Sequence, residues 1–187
     1  MTKKIKLTAL LIVIYTFTYG QDKFVYDQRG LNPKYVVVEM DGLKQDELFK
    51  KTINWIKETY KNPDEVIKTT IDNKKVRFEG FKDNIICIKS LGMVYCYDGL
   101  YTIEIEFKDN KYKFTPMSIE YRVPASQYSV GGMRPISLSD GSAYYKKGKL
   151  RKMYNTIPLS VEMLLNGLNL SLSKYLSTEQ EEGNDDW

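Results

Sequence analysis

Tyr101-Thr102-Ile103-Glu104-Ile105-Glu106-Phe107-Lys108-Asp109-Asn110-Lys111-Tyr112-Lys113-Phe114 is the stretch that decides the fold. Tyr101, Ile103, Ile105 and Phe107 share one parity; Thr102, Glu104 and Glu106 share the other. Successive side chains of a strand point to opposite faces, so this pattern predicts a strand with one buried and one solvated side. Asp109-Asn110 is a turn signal, and Tyr112 and Phe114 open a second strand over residues 111–123. Within it, Met117, Ile119, Tyr121 and Val123 take the parity opposite to Tyr112 and Phe114. A strand with one buried face changes parity only by gaining a residue, so a β-bulge is expected at Thr115-Pro116.

Upstream, short β-rich runs follow one another. Residues 66–71 and 75–81 flank the turn Asp72-Asn73-Lys74, and residues 85–89 and 93–97 flank Ser90-Leu91-Gly92. Asp98-Gly99 reads as one more two-residue turn, before the strand at Tyr101. Residues 35–40 (YVVVEM) form an earlier strand with Val36, Val38 and Met40 on one face. A helix is expected over residues 44–60, with Asp46 and Glu47 favourably placed in its first turn. Phe49, Ile53, Ile56 and Tyr60 recur at helical spacing there, beside Leu48 and Trp55, and Asn62-Pro63 stops the helix. Downstream, residues 124–155 show no strong period, and Tyr144-Tyr145 is the place where a short strand would fit. A last helix is expected over residues 156–176, capped by Thr156, with Pro158 in its first turn and an apolar stripe of Val161, Leu164, Leu168, Leu172 and Tyr175. The order of strand, helix, antiparallel strands, loop and helix gives an α+β fold: an antiparallel sheet with two helices packed on one face.

Three pieces of the chain resemble a known family. They are the helix Asp46-Glu47-Leu48-Phe49 continuing to Trp55-Ile56, the Asn62-Pro63 stop before Val66-Ile67, and the run from Tyr101 to Phe114. Together they make residues 35–121 similar to the domain of unknown function with a TATA-binding-protein-like (TBP-like) fold found in exported Bacteroidota proteins. The resemblance implies a curved antiparallel sheet backed by helices. It implies no activity and no catalytic residues, and the name of the fold carries no DNA binding with it.

Residues 1–20 carry Lys3, Lys4 and Lys6, then the apolar run 7–17, then Thr18 and Gly20. This three-part order reads as an export signal with cleavage between Gly20 and Gln21. An uncleaved anchor is the alternative, but the apolar run is short for a bilayer span. The expected organisation is therefore a signal (1–20), a lead-in (21–34), and one α+β domain (35–177). That domain comprises a TBP-like core (35–123), a long loop (124–155) and a C-terminal helix (156–176). An acidic tail (178–187) follows. The mature protein is expected in the periplasm or outside the cell.

The chain has 28 basic and 24 acidic residues, and the three lysines of the signal account for most of the excess. A near-neutral mature chain has no global field to draw it onto nucleic acid or anionic lipid. There is no histidine, which removes the commonest general base and the commonest metal ligand. Neither a metal, a cofactor nor a catalytic residue is expected. Cys87 and Cys96 sit in adjacent strands and face each other if Leu91-Gly92 is a two-residue turn. They read either as a disulfide or as two small apolar residues. Glu104 and Glu106 share a face, as the acids of a glycoside hydrolase do. A strand's solvent face gives the same pattern. Ser171-Leu172-Ser173-Lys174 matches Ser-x-x-Lys by chance, since its companion motifs are missing. Lys146, Lys147, Lys149, Arg151 and Lys152 form the one dense basic cluster, suited to a phosphate-rich surface glycolipid, a membrane or an acidic partner, or else a solvated loop that pairs with the acidic tail. Of the 15 tyrosines, Tyr121, Tyr128, Tyr144, Tyr145 and Tyr154 are the candidates for an exposed aromatic cluster. The resulting expectation is a non-catalytic protein-binding or structural module whose partner is an envelope protein or glycan. It has no nucleic acid partner and no stable membrane span after cleavage. Carbohydrate or lipid binding, and hydrolysis by carboxylates, are the alternatives.

Overall fold

The computed structural model describes residues 23–127 and 130–178; the segment expected to be an export signal, Tyr128 and all but the first residue of the acidic tail lie outside them. The element order begins with a small hairpin, β1 (Val25–Asp27) and β2 (Gly30–Asn32), then β3 (Val36–Glu39). Helix α1 (Gln45–Thr59) and the single turn α2 (Pro63–Val66) lead into β4 (Ile67–Ile71), β5 (Lys75–Ser90), β6 (Met93–Lys108) and β7 (Lys111–Val123). After β8 (Gly132–Pro135) come a 3-10 turn, the two-residue strands β9 (Tyr145–Lys146) and β10 (Lys149–Leu150), a second 3-10 turn, and α3 (Ile157–Ser177).

The main sheet is antiparallel in the order β3-β7-β6-β5-β4, with β8 beside the far half of β7. The alternation that opened the sequence reading sets its inner face: Tyr101, Ile103, Ile105 and Phe107 are buried, with Val76, Phe78, Tyr112 and Phe114 alongside. Helices α1 and α3 cover that face and touch each other. Trp55 meets Phe78 edge-on at 5.7 Å between ring centroids, and Phe49 meets Phe107 at 5.8 Å. The residues of α1 that turn fully inward are Leu48, Thr52, Trp55 and Ile56. Phe49 and Ile53 are only half-buried.

Both turns flanking the central strands follow from sequence. Asn73 (φ 58°) and Asn110 (φ 62°) occupy the left-handed region that asparagine tolerates. The turn at Asp109-Asn110 also holds the helix start: the Asp109 carboxylate accepts from the Gln45 N–H at 3.0 Å, and Glu47 accepts from the Lys44 N–H at 2.8 Å. The bulge expected in β7 is present. Ile103 lies opposite Pro116 and Thr102 opposite Ser118, leaving Met117 as the extra residue. Pro116 keeps the inward parity and Met117, expected inside, is 45% exposed.

Three local expectations are corrected and one is met. Asp98-Gly99 is not a turn but lies inside the continuous strand β6, opposite an irregularity in β5 between Lys82 and Ile86. A Cβ on Gly99 would overlap the Glu120 carbonyl, so the glycine serves close strand approach. The Asp98 carboxylate accepts from the Asn84 N–H at 2.9 Å and seals the irregularity. The described part of the expected lead-in, residues 23–34, is more than that: Phe24, Tyr26 and Leu31 enter the core. Helix α3 holds that hairpin by side chains, Asn166 bonding both the N–H and the carbonyl of Phe24, and Glu162 accepting from the Tyr26 N–H. Thr156 does not cap α3 with its side chain; its hydroxyl donates to the Cys87 carbonyl instead. The short strand expected at Tyr144-Tyr145 is present as β9, and residues 124–155 also contain β8, which has no inward face and therefore no period to read.

Candidate functional site

The outer face of the sheet carries the paired carboxylates. Glu104 accepts from Arg77 at 2.6 Å and lies 3.4 Å from Lys75; Glu106 accepts from Lys113 at 2.6 Å. Lys111 with Glu39 and Lys68 with Glu79 extend these pairings over the same sheet. Burial works to raise the Glu104 carboxyl, but Arg77 and Lys75 together outweigh it and hold it below the ordinary carboxylate range. A hydrolase needs two acids converging on a cleft, one of them with a raised pKa. Here Glu106 lines a cleft with Gln45, Lys74 and Lys113, Glu104 stands outside it, and each acid is held by a neighbouring cation, so the carboxylate-hydrolase reading loses its support. Ser171 Oγ accepts from the Trp55 indole at 3.2 Å, a packing role for the serine of the Ser-x-x-Lys match.

The aromatic candidates separate into two groups. Tyr121 stands opposite Gly99 in β7 and its ring lies 5.7 Å from Tyr97. Tyr144 lies 5.4 Å from Tyr154 and 6.1 Å from Tyr26. Tyr121, Tyr97, Tyr144 and Tyr154 are all half-buried, tilted against one another, so much of each ring is spent on its neighbours. Burial, then the nearby Tyr121 and Tyr154, push the Tyr144 hydroxyl up to about 12. Tyr145 turns elsewhere, toward Asp27 and Glu162, and its hydroxyl is raised by burial first and by those charges second. Tyr128 falls outside the described residues. The sequence pointed to Tyr121, Tyr144 and Tyr154, but not to Tyr97, which reads as an ordinary member of a hairpin.

All five cations of the basic cluster, Lys146, Lys147, Lys149, Arg151 and Lys152, are exposed. Arg151 also ties its own segment together, donating to the Ala143 carbonyl at 3.1 Å and lying 5.1 Å from the Tyr154 ring centroid. The turn at Lys152–Tyr154 packs against β5, and with the Thr156 bond to Cys87 this sets residues 151–156 against the base of the β5–β6 hairpin.

That hairpin is the feature whose exposure the sequence did not signal. Cys87 and Cys96 are directly opposed, with Cα atoms 4.0 Å apart, and are joined as a disulfide. Beyond the staple, Leu91 is 95% exposed, Val94 63% and Met93 55%, with Tyr95 also exposed. Met93 and Tyr95 lie on one face, Val94 on the other with Lys89, and Leu91 at the end. The alternation of β5 and β6 stops here because neither face of the tip meets a helix. An apolar run (Leu91, Met93, Val94, Tyr95) set on a turn is the signal that marks it.

The comparisons agree with this geometry. No curated protein matches the chain. Among solved structures it is similar to a TBP-like protein from Parabacteroides distasonis ATCC 8503, at 14% identity and TM-score 0.56, over 78% of this chain and 92% of that one. It is similar too to a DUF4468 family protein from Bacteroides ovatus ATCC 8483, at 13% identity and TM-score 0.57, over 78% of this chain and 88% of that one. At such identities the likeness concerns the fold. Residues 35–122, nearly the span read as a resemblance from the sequence, match the family described as a domain of unknown function (DUF4468) with TBP-like fold.

Proposed function

We propose that the protein is an exported, non-catalytic module that works by docking on a component of the cell envelope rather than by transforming a ligand. One observation carries this reading: exposed apolar side chains are gathered on a stapled hairpin tip, beside a segment dense in exposed cations. Apolar groups scattered singly over a surface need no explanation, but a contiguous exposed group marks an interaction surface. The neutralised carboxylates of the open sheet and the absence of histidine from the sequence favour binding over acid–base chemistry. The order of charges and apolar residues in residues 1–20 supports export, and a disulfide suits an oxidising compartment.

Two measurements test the reading. Mass spectrometry of the protein recovered from the envelope fraction should show a chain beginning at Gln21. A photo-crosslinking residue at Val94 or Lys152 should join the protein to an envelope macromolecule in intact cells, while the same residue at Thr102 on the open sheet should not. A cytoplasmic chain retaining residues 1–20, or crosslinks from Thr102 and none from Val94, would overturn it.

A further inference from the structure

We infer that the component engaged by the hairpin is an anionic lipid surface, with the tip of the β5–β6 hairpin entering the interfacial layer and the cations at its base meeting the headgroups. The inference rests on the docking reading above and names its partner class.

Shape is the first support. The apolar group is a projection, not a groove: the strands continue past the Cys87–Cys96 staple through Ser90 and Met93 to Leu91 and Gly92. At a strand rise of about 3.3 Å per residue, the tip stands about 10 Å beyond the staple. That matches the depth of about 5–10 Å to which interfacial segments bury their apolar face. Apolar side chains on both faces and at the end suit a surrounding medium better than a one-sided partner. No helix among the described residues is long and apolar enough to cross a membrane, so such an attachment would be peripheral.

Charge is the second. Residues 85–97 and 142–156 together hold six bases and no acid: Lys89, Lys146, Lys147, Lys149, Arg151 and Lys152. The chain from Gln21 onward carries 25 bases and 24 acids in all, so the rest of it is net acidic. Lys146, Lys147 and Lys149 lie on the β9–β10 turn, where Tyr145 and Gly148 share a pocket with Asp27 and Asp140, so the polarity at the hairpin rests on the other three. Lys89 is on the hairpin itself, and Arg151 and Lys152 are anchored at its base. Each cation held near an anionic leaflet contributes about 1 kcal/mol, a factor of about 5 in binding. Tyr95 stands between the tip and the staple, where an amphipathic ring suits the boundary.

Backbone conformation is the third. Leu91 has φ 50° and Gly92 φ 82°, the pair of positive angles that a tight hairpin turn needs. Asparagine and glycine take such angles readily; leucine does so at a cost. Here that cost is not offset by burial within the chain, since the side chain is 95% exposed. A strained, unburied leucine at a projecting tip is explained by burial in something else.

The test uses the protein purified from its native envelope. Co-sedimentation is measured with phosphatidylethanolamine vesicles containing about 30% phosphatidylglycerol, and with neutral phosphatidylcholine vesicles. The parent protein should sediment with the anionic vesicles, weakly with the neutral ones, and less as salt rises. Leu91→Asn suits the turn better, so it should keep or raise the thermal midpoint while weakening vesicle binding about tenfold. Lys89→Glu with Lys152→Glu should weaken binding by about a hundredfold or more at low salt. Val94→Trp should give fluorescence quenched by brominated lipid. Failure of the parent protein to bind anionic vesicles, or full binding by Leu91→Asn and by the double charge variant, would overturn the inference. If Val94 crosslinks to a protein in cells and vesicles are not bound, docking stands and the lipid partner is wrong.

Discussion

Glu104 holds the sheet's least exposed carboxylate, and its two cations decide its state. Arg77 donates to it through both Nε and Nη2, at 3.1 and 2.6 Å. Glu104→Gln should lower unfolding free energy by about 1–2 kcal/mol in urea titrations at neutral pH, since charge-assisted hydrogen bonds are lost and two cations remain. Its folded pKa lies below the ordinary 4.5, so the contribution is present above that value and is lost as pH falls through the folded one. The gap between parent and variant should therefore shrink in acid. Glycine makes a sharper contrast. Gly99→Ala, with the Glu120 carbonyl and Ile85 in the way, should cost about 1–3 kcal/mol. Gly167 sits in α3 with open space around it and an ordinary φ; Gly167→Ala should add about 0.5–1 kcal/mol. Denaturant midpoints of opposite sign for two identical substitutions check both.

At the scale of elements, the β1–β2 hairpin has few backbone partners of its own and depends on α3. Asn166→Ala would leave the N–H and carbonyl of Phe24 without the side chain that bonds them. Hydrogen exchange should show Phe24 and Tyr26 opening ahead of β6, with a global loss of about 1–2 kcal/mol. The β5–β6 hairpin is different, since its far end has no helix to lean on and its covalent staple takes that role. Thiol titration of the unfolded, unreduced protein should find no free cysteine. Cys87→Ser with Cys96→Ser should cost about 2 kcal/mol or less, the loop closed being short. Exchange should quicken around residues 88–95 more than in the helices. A uniform loss across the molecule would show that the staple serves the core and not the tip.

The whole molecule has a tyrosine-rich interior. Tyr26, Tyr60, Tyr112 and Tyr144 are all raised above the ordinary 10.0, by burial first in every case, and Tyr144 reaches about 12. Tyr60 and Tyr101 share a hydrogen bond of 2.7 Å between their hydroxyls. A raised folded pKa favours the neutral ring, so this stability is complete below about pH 10 and is lost as pH rises toward the folded values. Tyrosinate absorbance and far-ultraviolet circular dichroism should change together between about pH 10 and 12 or above. Smooth ionisation near pH 10 with unchanged dichroism would contradict the burial described here.

The layered α+β design was legible in sequence because it rests on period. Tyr101 to Phe107 can bury alternate side chains only in a pleated layer, and the parity change in β7 announces its bulge. Local turn chemistry carried Asn73 and Asn110. What the sequence withheld has one physical cause: those features depend on what a distant segment supplies. Asp98-Gly99 has the composition of a turn, and only the approach of the Glu120 carbonyl makes it strand. The period of residues 22–34 is too short to read, and Asn166 and Glu162 on α3 fix that hairpin from more than a hundred residues away. Val94 and Met93 look like core residues, and tertiary structure alone leaves them uncovered, because both helices end their contact with the sheet before the tip.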